Sequence, residues 1–140
     1  MPNKRKELPR GAGILLPVSS LPSPYGIGAL GKAAFAFIDF LKEAGQKYWQ
    51  VLPVGPTSFG DSPYQSFSAF AGNPYFIDLD TLREEGLLER AEIDAFDWGD
   101  APDDVDYAKL YQSRFQVLRS AFQRSGHRDT QEYRAFCEAQ

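Results

Sequence analysis

The first 54 residues alternate between short apolar runs and one amphipathic stretch. Residues 12–17, "AGILLP", and residues 48–54, "YWQVLPV", predict two β-strands. Between them, apolar side chains recur at helical spacing, and Gly45 stands where a glycine ends a helix. This predicted apolar face consists of Leu30, Ala34, Phe37, Ile38 and Leu41. Strand, helix and strand in this order predict a βαβ unit with parallel strands, and hence an α/β fold.

The segments that follow the two predicted strands are long. They cover residues 18–29 and 55–74, whereas roughly two to six residues would be usual. In parallel α/β folds, the loops at the C-terminal ends of the strands share one face, and that face carries the site. We therefore expect these two loops to form the functional site.

Helical patterns dominate after residue 74, apart from one further strand candidate. Residues 75–79, "YFIDL", predict a third short strand, and Thr81 and Glu84 have the spacing of a capping box. We expect Asp78 and Asp80 to serve this junction structurally.

From residue 87 the chain predicts a helical region that begins with an acidic connection. Residues 87–106 are weakly patterned and indicate a surface connection, and residues 107–125 predict a longer helix. A last helix is expected from Thr130, and the sequence stops at Gln140 without a cap, as if within that helix. The stripe of the longer helix consists of Tyr107, Leu110, Tyr111, Phe115, Leu118 and Phe122.

Composition and charge exclude several classes of protein. The chain has 140 residues, 43% of them apolar, and a net charge of −4, which argues against a surface that binds nucleic acid. No apolar run approaches the ~20 residues that cross a bilayer, and Pro17 interrupts the run that follows the basic residues 4–6, which disfavours a secretory signal. Cys137 has no disulfide partner, and with His127 alone it makes no metal site. We expect a cytoplasmic protein without a cofactor.

A glycine pattern at residues 26–31 resembles two phosphate-binding motifs. Gly26, Gly28 and Gly31 have G-x-G-x-x-G spacing, but Gly26 lies about nine residues past the first strand. The P-loop interpretation fails because Ala33 stands where a magnesium-binding hydroxyl is required. A tight turn into a helix is the favoured interpretation, and a nucleotide-binding α/β domain remains an alternative.

Residues 60–76, "GDSPYQSFSAFAGNPYF", combine aromatic rings with short polar side chains. Sugar rings have apolar C–H faces and a rim of hydroxyls, so this mixture suits a carbohydrate. Simple packing of the loop, with Phe67 and Phe70 as buried anchors, is the competing interpretation.

Three ordered blocks resemble the N-terminal region of a known enzyme family. They are "GILLPVSSLPSPYGIGALG" at 13–31, "YWQVLPVGPT" at 48–57 and "GDSPYQSFSAFAGNPYFIDL" at 60–79, and "VDYAKLY" at 105–111 adds a weaker match. Together they are similar to the amylomaltases, 4-α-glucanotransferases of glycoside hydrolase family 77. The resemblance implies a (β/α)₈ TIM barrel with insertions that transfers α-1,4-glucan segments between maltodextrins by a retaining double displacement. Residues 1–86 would form its first βα units and residues 87–140 the start of an inserted helical region, because such a barrel needs roughly 250 residues.

The resemblance also implies roles for individual residues. Ser62 and Tyr64 would line the donor-side glucose subsites, and Asp61 and Gln65 would orient hydroxyls or hold the loop. None of the 140 residues matches the family's catalytic carboxylates, which are expected downstream.

Two further residues resemble a remote glucan site of the family. Phe59 stands where some relatives carry a tyrosine, and Tyr111 resembles its companion. A non-catalytic carbohydrate-binding module is the main alternative, and the sequence leaves the oligomeric state open.

Overall fold

The computed structural model describes residues 9–100 and 103–139, and the predicted βαβ unit is present in it. Strand β1 (Gly13–Leu15) and strand β2 (Tyr48–Gln50) pair in parallel, with Gly13 opposite Tyr48 and Leu15 opposite Gln50. Helix α1 (Lys32–Glu43) connects them. Both strands are shorter than predicted because Pro17 and Pro53, which cannot donate to a ladder, follow closely. The basic residues 4–6, which were weighed as part of a secretory signal and disfavoured, and the chain end at Gln140 lie outside the described residues.

Helix α1 is fixed to the sheet by aromatic packing. The ring of Phe37 meets the ring of Trp49 edge-on, with 5.1 Å between centroids, and the indole N–H of Trp49 donates to the Leu16 carbonyl oxygen (2.8 Å). Ala34 and Leu41 are buried, as predicted, but Ile38 is 46% exposed in the described structure. The predicted apolar face is therefore only partly covered.

The expected third strand is wrong. Residues Pro74–Phe76 form a 3₁₀ helix, because Pro74 has no N–H for a ladder and the Asn73 side chain accepts a hydrogen bond from the Tyr75 N–H (3.0 Å). Helix α2 (Leu79–Glu84) follows, and its N-cap is Asp78, which accepts from the Thr81 N–H (2.7 Å). Asp78 thus has the structural role that was expected, whereas Thr81 is not the cap.

Helices dominate the second half, as predicted. The weakly patterned segment contains a helix that the sequence analysis missed, α3 (Arg90–Asp94), and α4 (Tyr107–Ser125) and α5 (Gln131–Ala139) follow. Short 3₁₀ turns occupy Val18–Ser20 and His127–Asp129. Trp98 is buried, so the predicted surface connection also contributes to the interior.

One main hydrophobic core joins the two halves of the chain. It draws residues from the first long loop, the 3₁₀ helix, α2, α3 and α4, which lie on both sides of residue 86. Its buried members are Tyr25, Ile27, Tyr75, Leu79, Leu88, Ile93, Trp98, Leu110, Val117 and Ala121. The first loop is also tied to α2 by the Tyr25 hydroxyl, which donates to the Asp80 carboxylate (2.8 Å). Among the described residues the sheet has two strands, and no helix is both long and apolar enough to span a bilayer.

Arg114 is the largest fully buried side chain in the described structure. Its Nη2 donates to the carbonyl oxygens of Tyr75 (2.8 Å) and Ile77, and its guanidinium lies 6.0 Å from the ring centroid of Trp98. Burial lowers the pKa of Arg114 to about 10, so the side chain remains charged at neutral pH. Nε and Nη1 are buried without a hydrogen-bond partner among the described residues. Hydrogen bonds to charged groups contribute roughly 1.5–3 kcal/mol each, which the cost of burying the charge offsets in large part.

The glycine pattern of residues 26–31 is explained by close packing. A Cβ on Gly28 would lie 2.1 Å from the Val18 carbonyl oxygen, and one on Gly31 would lie 2.2 Å from the Asp78 carboxylate. Gly26 has a left-handed φ of 74° and approaches the Trp98 carbonyl oxygen. These glycines therefore seat the first loop against the core, which supports the interpretation as a turn into a helix.

We predict that Gly28→Ala lowers the free energy of unfolding by about 1–3 kcal/mol, because the added methyl group would collide with backbone atoms. Gly72→Ala is the matched control, since its Cβ would meet nothing within 4 Å. Urea denaturation of both variants measures the difference. Equal stability of the two variants would contradict the packing explanation.

Candidate functional site

The long loop after β2 is closed at its base. The Asn73 N–H donates to the Val54 carbonyl oxygen (2.8 Å), and Thr57 and Ser66 form an isolated antiparallel bridge inside the loop. The loop therefore leaves β2 and returns to nearly the same point before the 3₁₀ helix begins. Both of its ends are fixed to the folded body of the protein.

Serine side chains hold the interior of this loop. Ser66 Oγ donates to the Ser68 carbonyl oxygen (2.7 Å), and Ser68 Oγ accepts from the Ala71 N–H (3.1 Å). The aromatic rings point outward instead: Phe67 is 74% exposed and Phe70 is 95% exposed. The interpretation of these two rings as buried anchors is wrong for the described structure.

A strained turn shapes the entrance of the loop. The Asp61 N–H donates to the Ser58 carbonyl oxygen (3.1 Å), Gly60 has φ 97° and Asp61 has φ 55°. Asp61 is the only non-glycine residue with a positive φ in the described part of the chain. Aspartate tolerates this conformation better than most residues. The turn leaves Phe59 fully exposed at its tip.

An aromatic groove of about 920 Å³ lies between this loop and helix α4. Its floor is a chain of contacting rings: Tyr75 lies 6.1 Å from Tyr107 and 5.4 Å from Phe115, and Phe115 lies 6.1 Å from Tyr111, between centroids. Phe59, Asp61 and Phe67 complete the wall on the loop side, and Thr57, Ser58, Asn73 and Gln112 add polar groups.

Helix α4 presents two different faces to its surroundings. Tyr107, Tyr111 and Phe115, four residues apart, line the groove, whereas Leu110 and Val117 enter the core. The predicted single stripe is confirmed only in part: Tyr107, Leu110 and Leu118 lie in or against the core, whereas Tyr111, Phe115 and Phe122 are exposed. The i, i+4, i+8 spacing of the three aromatic residues is the signal that could have separated the two faces.

The electrostatics of the groove favour the protonated form of two of its phenols, those of Tyr75 and Tyr107. Burial, and then the negative charge of Asp61, raise the pKa values of Tyr75 and Tyr107. Both hydroxyls therefore remain protonated well above neutral pH. Asp61 is the only carboxylate among the residues that line the groove.

The structure divides the predicted site residues into two neighbouring groups. Phe59, Asp61 and Tyr111 line the groove together, which the sequence could not establish because residues 61 and 111 are distant in the chain. Ser62, Tyr64 and Gln65 are not among the groove residues and belong to the next turn, in which the Gln65 N–H donates to the Ser62 carbonyl oxygen (3.1 Å).

This second turn presents an exposed aromatic ring beside small polar groups. Ser62 Oγ accepts from the Tyr64 N–H at 3.4 Å, and the Tyr64 side chain is 72% exposed. Such a surface can stack on a ligand and bond its hydroxyls. Within the described residues there is no group of three or more His, Cys, Asp or Glu side chains arranged to hold a metal ion.

Comparison with protein families identifies a matching model across most of the chain. The family described as 4-alpha-glucanotransferase matches residues 16–140. The 4-alpha-glucanotransferase of Streptococcus pneumoniae (strain TIGR4) is 55% identical over 115 residues, which is 82% of this chain and 23% of that protein. The 4-alpha-glucanotransferase of Thermus thermophilus is 58% identical over 116 residues, which is 83% of this chain and 22% of that protein.

The fold agrees with a solved structure. The amylomaltase from Streptococcus agalactiae in complex with acarbose superimposes with a TM-score of 0.79 at 48% identity, covering 83% of this chain and 23% of that one. The chain thus spans about a quarter of the length of the relatives that it matches. On the extent of these matches, the chain belongs to the 4-alpha-glucanotransferase family, glycoside hydrolase family 77.

Proposed function

We propose that this chain supplies part of the glucan-binding surface of a 4-α-glucanotransferase that transfers α-1,4-glucan segments between maltodextrins. Residues 1–86 would contribute the first βα units of a (β/α)₈ barrel, and residues 87–140 would begin a helical insertion. The observation that carries the proposal is the aromatic groove, with the protonated phenols of Tyr75 and Tyr107, beside the Ser62–Gln65 turn. We place the activity in the cytoplasm.

The groove and the turn suit glucose rings on chemical grounds. Exposed aromatic faces pack on the C–H faces of a pyranose, and hydroxyl, amide and carboxylate groups bind its rim. Tyr64 would stack beside the donor sugar, and Ser62 and Gln65 would bond its hydroxyls. Asp61, at the junction of the two regions, would orient hydroxyls or hold the turn.

Phe59 and Tyr111 would form a second glucan site in the groove. Both residues line the groove, Phe59 from the loop and Tyr111 from α4, so a glucan bound there would contact both rings. A phenylalanine at position 59 offers the apolar face but no hydroxyl. Stacking would therefore contribute more to binding there than hydrogen bonding would.

The reacting carboxylates would lie on polypeptide other than these residues. Retaining transfer needs two carboxyl groups roughly 5–5.5 Å apart: one attacks the anomeric carbon and the other protonates the leaving sugar. The lining of the groove contains Asp61 alone. In the second half of the reaction a 4-hydroxyl of an acceptor glucan would attack the glycosyl intermediate in place of water.

We expect the full-length protein whose reading frame contains these residues to convert maltotriose into glucose and longer maltodextrins. The 140-residue chain alone should give no products, because the paired carboxylates are missing. Chromatography of the sugars measures both results. Products from the short chain would contradict the proposed division, and a full-length protein that binds glucans without transfer would be a carbohydrate-binding module instead.

We predict that Tyr64→Ala lowers kcat/KM of the full-length enzyme for maltotriose by about 30- to 100-fold, since stacking and one hydrogen bond are both lost. Phe136→Ala is the matched control, because Phe136 is 63% exposed on α5, outside the loop. Initial rates of glucose release give the comparison. A similar loss of kcat/KM in the two variants would contradict the proposed place of Tyr64 in the donor site.

For the second site, we predict that Phe59→Tyr strengthens binding of a long maltodextrin by about 2- to 10-fold, because it restores one neutral hydrogen bond. Tyr111→Ala should weaken the same binding while turnover of maltotriose is unchanged. Calorimetric titration of an inactive full-length variant measures these affinities. If neither substitution changes the affinity, the groove is not a glucan site.

A further inference from the structure

Arg114 lies directly behind the aromatic groove but is not part of its lining. Its neighbour on α4, Phe115, belongs to the groove, and its own side chain points the other way, into the core. There Nη2 donates to the backbone carbonyl oxygens of Tyr75 (2.8 Å) and Ile77. One guanidinium nitrogen therefore binds two points of the segment that follows the long loop.

The first of these carbonyl groups lies in the 3₁₀ helix that follows the end of the long loop, and the second lies directly after that helix. Tyr75 follows Asn73, whose side chain accepts from the Tyr75 N–H (3.0 Å) and whose own N–H donates to the Val54 carbonyl oxygen (2.8 Å). A single path of hydrogen bonds thus runs from α4 through the 3₁₀ helix to the base of the loop. Any shift of Tyr75 would also move its ring, which contacts Tyr107 and Phe115 in the groove floor.

An arginine at this place is a poor choice for stability alone. Nε and Nη1 have no partner among the described residues, and the charge is favoured only by the nearby carboxylate of Asp78, by neighbouring tyrosines and by the ring of Trp98, 6.0 Å away. Replacing a buried, incompletely bonded charge by an apolar side chain of similar volume is often neutral for stability. What an apolar side chain cannot do is bind the two carbonyl groups and fix their positions.

We propose that Arg114 is a positioning residue that holds the 3₁₀ helix, and through it the glucan-binding loop and the groove floor, in the geometry that binds substrate. This inference rests on the proposed function. Arg114 touches no glucan. It acts through the backbone of Tyr75 and Ile77.

The test compares Arg114→Met and Arg114→Lys in the full-length enzyme with maltotriose as substrate. Arg114→Met should raise KM by about tenfold with kcat within about twofold of the wild type, and Tm should fall by no more than a few degrees. Arg114→Lys should show a smaller rise in KM, since a single ammonium group can donate to both carbonyl oxygens but with less favourable geometry. The matched control is Arg119→Met, an exposed arginine on the same helix.

A second measurement reports on the loop without substrate. Chymotrypsin can cleave after the exposed rings of Phe59, Tyr64, Phe67 and Phe70, and cleavage after exposed Phe136 gives an internal reference. Relative to that reference, loop cleavage should be several-fold faster in Arg114→Met and unchanged in Arg119→Met.

The outcomes separate this inference from the proposed function. An unchanged KM in both Arg114 variants, or loop cleavage no faster than in the wild type, would overturn the positioning role. The positioning role would also be overturned if Arg114→Met lost rate only in proportion to its smaller folded fraction, while KM stayed constant. A wild-type enzyme without transfer activity would overturn the proposed function instead, and the cleavage rates alone would then decide the role of Arg114.

Discussion

The hydrogen bonds from the buried guanidinium of Arg114 to two backbone carbonyl groups are the interaction on which the candidate site depends. They join α4 to the 3₁₀ helix that ends the long loop. Because the loop is held internally by serine hydrogen bonds and exposes its rings, it has little hydrophobic packing of its own to fix its position. Its geometry is therefore set at its base.

The hydrogen bonds of Arg114 also explain how α4 can pack on the core with one face and line the groove with another. With its core face packed on the hydrophobic cluster and Arg114 holding the neighbouring segment, the helix presents Tyr107, Tyr111 and Phe115 to the groove. The groove walls then come from a loop and a helix that are far apart in sequence. Asp61, in its left-handed conformation, connects this groove to the turn that carries Tyr64.

Helix α1 exposes apolar side chains that the proposed barrel would cover. Phe35 is 67% exposed and Phe40 is 55% exposed, and the described sheet consists of two strands. The chain spans about 23% of the length of its S. pneumoniae relative. In the proposed barrel, further βα units would cover these side chains and extend both edges of the sheet.

The sequence by itself determined the βαβ order, the position of α4 and the aromatic and polar character of the long loop, because apolar periodicity and turn residues are local signals. It failed at residues 75–79, where Pro74 and the Asn73 side chain overrode an apolar run. Only the tertiary structure decided that Phe59 and Tyr111 line the same groove and that Arg114 is buried. Those facts depend on packing between distant segments, which residue spacing along the chain does not encode.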